Sequence, residues 1–217
     1  MKTLAFVTQK GGTGKSSLAV SLAVAAQERG LKVCVIDLDP QGTSRNWFER
    51  REAPTPEVAT VDASRLTTAL SALQRQSHDL AILDTPGVDT PATIAAMQAA
   101  DLCLIPARPS VADIEAARPT VRSLTKLGKA FAFVLNQCPP ARAVRTSDAF
   151  RALQLAGAVS GISLALRADH VDALAEGLGV TERDSQGKAA AEIRNLLTWV
   201  INRMEGRAHE EETARVA

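Results

Sequence analysis

The chain contains no tyrosine, and aromatic residues make up only 3% of its 217 positions. Base stacking on aromatic side chains is therefore not an expected mode of nucleic-acid binding, and phosphate contacts would have to dominate. Cysteine is also scarce. Cys34, Cys103 and Cys138 each lie inside or at the end of an apolar run, with no CxxC pair and no Cys/His cluster. That excludes a zinc ribbon or a disulfide framework and leaves small buried hydrophobes in a reducing compartment. Net charge is nearly absent, at +1 from 25 basic and 24 acidic residues, so any anionic partner must be held by a local patch. No apolar stretch is long enough to span a bilayer. The short apolar run after Met1-Lys2 passes into a glycine-rich loop rather than a secretory cleavage site. The expectation is a soluble cytoplasmic protein. Its length and its 46% hydrophobic content suit a single domain over residues 1–206, with a disordered tail at 207–217.

What is present is an alternation of short β-branched runs with longer Ala/Leu-rich segments. Strands are expected at Thr3–Thr8, Lys32–Ile36, Glu57–Val61, Leu80–Leu83, Leu102–Pro106, Ala130–Leu135 and Ala158–Leu164. Helices are expected at Ser16–Arg29, Ser44–Arg51, Ser64–Gln76, Pro91–Ala99, Val111–Leu127, Val144–Leu155, His170–Glu176 and Lys188–Met204. The strands are continuously apolar rather than alternating, which a sheet covered on both faces requires. The fold class is α/β, a three-layer and mainly parallel sheet of the P-loop NTPase type. In the last helix Ile193, Leu196, Leu197, Val200, Ile201 and Met204 form one apolar stripe. The stripe is expected to dock on the domain rather than lie on a membrane, because the following RAHEEETARVA segment is acidic and would repel anionic lipid.

The most informative segment is Gln9-Lys10-Gly11-Gly12-Thr13-Gly14-Lys15-Ser16-Ser17, placed between an apolar strand and a helix. Glycines let successive backbone N–H groups turn inward as an anion cradle, and a helix N-terminus adds partial positive charge. Lys15 would reach the β- and γ-phosphates, and the Ser16 hydroxyl would bind Mg²⁺. Two carboxylate segments follow at strand ends, Asp37-Leu38-Asp39-Pro40-Gln41-Gly42 and Asp84-Thr85-Pro86-Gly87. The carboxyl ends of parallel strands form the ligand edge of an open α/β sheet.

The usual phosphate-loop pattern has glycine where this chain has Gln9, and the chain carries Lys10 instead. KGGTGKS resembles the deviant Walker A box of the ParA/MinD family. That resemblance implies ATP and Mg²⁺ as ligands and slow, partner-stimulated ATP hydrolysis. Lys10 would be the signature lysine, which crosses an ATP-dependent homodimer interface to the partner's phosphates. DLDPQG is similar to the family's DxDPQG segment, which implies Asp39 at the attacking water and Asp37 in the magnesium shell. DTPG resembles Walker B with a switch II glycine, which implies that Asp84 holds a magnesium-bound water. FVLNQ sits where the family reads adenine, pointing to Asn136, and IPARPS through Asp113 resembles a stretch of the small ParA proteins.

Within that family the chain resembles the small ParA class, since it starts at the first strand without an N-terminal helix-turn-helix. The absence of tyrosine disfavours an autokinase, and the apolar setting of the cysteines disfavours an iron-protein relative. The resemblance implies a nucleoid-associated switch that partitions plasmids or chromosomes through non-specific DNA binding, with a ParB-like or ribbon-helix-helix adaptor stimulating hydrolysis. The alternatives are positioning of a protein cargo, such as chemoreceptor clusters or carboxysomes, and a MinD-like membrane-associated ATPase, although no membrane contact is expected. The basic residues proposed for DNA are Arg145, Arg167, Arg183, Lys188 and Arg194, with Arg142, Arg151 and Arg203 in the same half of the chain. Lys15→Ala should abolish or severely weaken nucleotide binding, since the loop loses the cation aimed at the β/γ oxygens. A fluorescent-ATP titration checks this, and unchanged affinity would remove the phosphate-loop assignment.

Overall fold

A computed structural model describes residues 1–139 and 144–207. The expected Arg142 contact and the tail from residue 208 onward lie outside the described residues. Parallel strands β1 (Lys2–Phe6), β2 (Val33–Asp37), β3 (Glu57–Thr60), β4 (Leu80–Asp84), β5 (Leu102–Ala107), β6 (Phe131–Cys138) and β7 (Ala158–Ala165) form one sheet of order β3-β2-β4-β1-β5-β6-β7. All its pairings are parallel. Every residue of β2, β4 and β5 is buried, which accounts for their unbroken apolar sequences.

Side chains alternate across the sheet. Leu4, Phe6, Val33, Val35, Ile82 and Leu104 face one layer, and Ala5, Val7, Cys34, Ile36, Leu83 and Ile105 face the other. The first layer contains α1 (Lys15–Glu28), α7 (Ala168–Ala175), α8 (Val180–Arg183) and α9 (Lys188–Met204). The second contains α3 (Leu66–Arg75), α4 (Pro91–Ala99), α5 (Val111–Lys126) and α6 (Val144–Gln154). The apolar stripe of α9 is internal, with Ile193, Leu196, Leu197 and Val200 wholly buried. All three cysteines are buried, and burial pushes the Cys34 and Cys103 thiols up to about 12 and that of Cys138 to about 11.

Helix starts follow local chemistry. Thr90 Oγ1 accepts from the Thr93 N–H at 3.2 Å and is followed by Pro91 at the first position of α4. Ser110 caps α5 in the same way, accepting from the Asp113 N–H at 3.2 Å. The expected elements are all present with end shifts of up to three residues. β6 runs on from Leu135 to Cys138 and so takes Asn136 and Gln137 into the strand. Helix α8 was not expected, because four residues are too few to show a helical period.

Between β2 and β3, α2 (Thr43–Arg50) ties the ligand edge to the α7–α8 corner. Trp47 is fully buried against Val20 and Val24, and its indole N–H donates to the Leu178 carbonyl at 3.0 Å. Arg51 lies over the Trp47 ring at 5.0 Å and pairs with Glu182 at 2.5 Å. Trp47→Ala should destabilise the fold by about 3–5 kcal/mol through the lost ring volume and the stranded carbonyl. Urea unfolding checks the figure, and a loss under about 1 kcal/mol would show that the corner does not depend on Trp47.

Candidate nucleotide site

β1 is the pivot of the sheet, with its successors placed to one side and then the other, so the loop after Phe6 opens into the crevice at the ligand edge. Gly14 precedes α1 in the left-handed region, at φ 92°, and no side chain caps the helix. The first N–H groups of α1 are therefore left for an anion. A Cβ at Gly14 would collide with the Asn136 amide, so the loop also needs glycine there for space. Asn136 Nδ2 donates to the Thr13 carbonyl at 2.8 Å, and Gln137 Nε2 to the Gly12 carbonyl at 3.0 Å. These two amides fix the loop's carbonyls outward. Gln137 reaches its position through a left-handed backbone, φ 53°, beside register shifts between β6 and β7.

The loop, Asp37, Asp39, Pro86 and Gly87 line a cavity of about 980 Å³ together with Ser16 and Ser17. Lys15 is buried, and desolvation lowers its pKa against the opposing pull of Asp84 and Asp39. Asp37 and Asp84 are fully buried. Burial raises both; Asp37 is offset by the N–H groups of Arg45 and Asp39, at 2.9 and 3.0 Å. Asp84 is pushed up to about 6 by burial despite the hydroxyls of Ser16 and Ser44, the latter at 2.7 Å. Its second oxygen, Oδ1, has no partner among the described residues.

An orphaned, buried carboxylate oxygen beside a serine hydroxyl fits a hard divalent cation. Ser16, Asp84 and Asp37 are the residues that would hold Mg²⁺ or its waters. Asp39 is partly buried at the cavity wall, its Oδ1 accepting from the Gln41 N–H at 3.0 Å. Across the cavity, a Cβ on Gly87 would stand 3.1 Å from the Gly11 backbone, so the switch II segment packs directly on the phosphate loop.

Lys10 does not lie in the cavity lining. Its Nζ donates to Asp113 Oδ2 at 2.8 Å. Asp113 also accepts from Arg108 at 3.0 Å and from Ser110 at 2.5 Å. Burial by itself would raise the Asp113 carboxyl, but Lys10, Ser110 and Arg108 outweigh it and hold it at about 2. The residues expected to meet DNA lie on α6, at the start of α7, on α8 and on α9. Arg145 is exposed on α6, and Lys188 starts α9. Arg167 is engaged by Glu192 at 2.7 Å and Arg194 by Glu28 at 3.3 Å, while Arg183 sits among Asp169, Asp172 and Glu176. Three of the five candidates are thus neutralised in place. Sequence spacing gave no sign of Ser44, Gln137 or the Lys10–Asp113 pair as site components; only the serine at a helix start and the IPxxPSxxD likeness hinted at them.

A glycine-lined anion loop, a buried lysine and paired carboxylates at the centre of a parallel sheet define a P-loop nucleotide-binding domain. More narrowly, the chain belongs to the family described as CobQ/CobB/MinD/ParA nucleotide binding domain, which matches residues 4–216. It is 30% identical over 208 residues to maintenance of carboxysome distribution protein A of Halothiobacillus neapolitanus, covering 92% of this chain and 96% of that protein. The protein of the same name from Gloeobacter kilaueensis is 32% identical over 198 residues, covering 88% of each. In fold the chain is similar to the Pyrococcus furiosus cell division ATPase MinD, with TM-score 0.74, 19% identity and coverage of 93% of this chain and 98% of that one.

Asp113→Asn should release Lys10 and lower stability at neutral pH by about 1–3 kcal/mol. A carboxyl whose folded pKa is depressed stabilises above its unfolded value near 4 and loses that contribution as pH falls toward about 2. Denaturant titrations should therefore show a constant difference between the two proteins from neutral pH down to about 5, closing only below about 4. A difference that disappears at neutral pH would show that the pair contributes nothing.

Proposed function

We propose that this protein is an ATP-dependent dimerising switch that positions a large intracellular protein body, of the carboxysome kind, on a DNA scaffold. Support for the cargo comes from the two relatives named for carboxysome distribution, which align along nearly the whole chain. Partition of plasmids or chromosomes, the leading expectation from sequence, is less well supported than this alternative. The observation that carries the switch itself is the convergence of Lys15, Asp37 and Asp39 on one cavity, with the buried Asp84, one of its oxygens unpartnered among the described residues, acting on Lys15 from behind the lining.

In this reading the loop N–H groups and Lys15 bind the triphosphate, and burial makes their charges act over short distances with little screening. Mg²⁺ would neutralise charge on the β/γ oxygens when bound. Ser44 holds one oxygen of Asp84 and leaves the other directed to the metal side. Asp39 orients the attacking water from the cavity wall, its backbone N–H held by Asp37 and its carboxylate by the Gln41 N–H. Lys10 exchanges Asp113 for the partner subunit's phosphates when two ATP-bound subunits meet, which makes dimerisation depend on ATP. Asn136 keeps one amide on the loop and offers its oxygen to the adenine. DNA is held non-specifically through phosphate contacts, for which Arg145 and Lys188 are the sequence-expected cations without an ion pair among the described residues, and an adaptor on the cargo stimulates hydrolysis.

A carboxylate that only orients water adds little to ATP affinity, and its charge opposes the triphosphate. Asp39→Ala should bind ATP at least as tightly as wild type while losing most single-turnover hydrolysis. In the host, the same variant should leave protein bodies clustered with plasmid and chromosome inheritance unchanged. Normal turnover, or loss of ATP binding, would remove Asp39 from its role. Failed inheritance with normally spaced bodies would return the protein to partition.

A further inference from the structure

Helices α5 and α6 leave a groove of about 450 Å³ between them, on the sheet face opposite α1 and α9. Its floor is apolar, formed by Ala117, Phe133 and Leu153, all buried. Its lip carries Leu155, which is 92% exposed. Its rim carries Arg118 and Arg122, four residues apart on α5 and both exposed, with Lys126 a further turn along.

Like charges at this spacing repel, and a helix normally offsets them with carboxylates. Several arginines of the chain are offset by a carboxylate, Arg45 by Glu49, Arg51 by Glu182, Arg108 by Asp113, Arg167 by Glu192 and Arg194 by Glu28, while others, such as Arg65 and Arg75, find none among the described residues. Arg118 and Arg122 have no such carboxylate among the described residues. A leucine alone on a surface needs no explanation. A leucine at the mouth of an apolar groove flanked by two uncompensated guanidinium groups is a composite that water and small ions do not satisfy.

We propose that this groove docks an amphipathic helix of a partner protein, with apolar side chains seated against the half-buried Ile114 and Val121 beside Leu155 and with Asp or Glu residues paired to Arg118 and Arg122. Apolar anchors at helical spacing fit such a groove, and the guanidinium fork matches a carboxylate. Duplex DNA fits the cations but leaves the apolar floor and Leu155 uncovered, so it is the poorer occupant. The surface is separate from the nucleotide cavity and does not require the switch reading. It nevertheless lies on the helix whose first turn carries Asp113, the residue that holds Lys10.

The probe is a fluorescein-labelled helical peptide of about 16 residues, with leucines at every third and fourth position and glutamates elsewhere, plus a counterpart with lysines in place of glutamates. Anisotropy with the full chain and ATP should show the glutamate peptide binding and the lysine peptide failing. Leu155→Glu, and separately Arg118→Glu with Arg122→Glu, should each weaken binding roughly tenfold or more while ATP affinity stays unchanged. The altered positions are exposed, so the variants should fold, and ATP binding verifies this independently of the peptide. Equal binding by the variants, preference for the lysine peptide, or no binding by either overturns the proposal. Loss of duplex DNA retention in the arginine variant, with peptide binding unaffected, would make the face a nucleic-acid surface instead. Loss of self-association in Leu155→Glu without any peptide binding would give the groove to a second copy of this chain.

Discussion

Ionisable groups buried together at the ends of parallel strands impose the constraint from which the site is built. Lys15, Asp37 and Asp84 are all withdrawn from water, and burial works against the charged form of each. None could persist on local attraction alone. The first turn of α2 and the end of β2 give the two carboxylates N–H and O–H donors, while Asp84 and Asp39 offset the Lys15 ammonium, so those elements hold one another through the same charges. The site is therefore stable as a set, with one place left open, the Asp84 oxygen that has no partner among the described residues.

Helix α2 shows how that balance reaches the rest of the molecule. Its N-terminal end provides Ser44 to Asp84 and the Arg45 N–H to Asp37. Its C-terminal end provides Trp47 and Arg51 to the α7–α8 corner. One short helix thus spans from the buried strand-end carboxylates to a distant corner through contacts that are either buried or ion-paired. Any shift of the Asp39–Gly42 turn that accompanies a change of nucleotide has a rigid path outward.

The sheet and the site core were legible in the sequence because both are written in local patterns. Doubly covered strands require unbroken apolar runs, and the anion cradle requires its glycines, lysine and serine in sequence. Long-range partnerships were not legible. Lys10 and Asp113 are 103 residues apart, and Ser44 meets Asp84 across 40. Spacing carries no information about such pairs until the sheet order is known. The ion pairs that engage Arg167 and Arg194, two of the basic residues read as a DNA surface, were hidden for the same reason, because their carboxylates are remote in sequence. Helix α8 was hidden by shortness, and the extension of β6 by the unusual left-handed Gln137.

The pairing of Lys10 with Asp113 also bears on how two subunits meet. Surfaces that carry like charges repel one another during approach, and like-charge juxtaposition slows diffusional encounter. One buried carboxylate offsets only one of the two cations it holds, so the Lys10–Arg108–Asp113 cluster keeps an uncompensated positive charge. Two copies approaching through this region would meet with like charges, and dissolved salt would ease rather than hinder that approach.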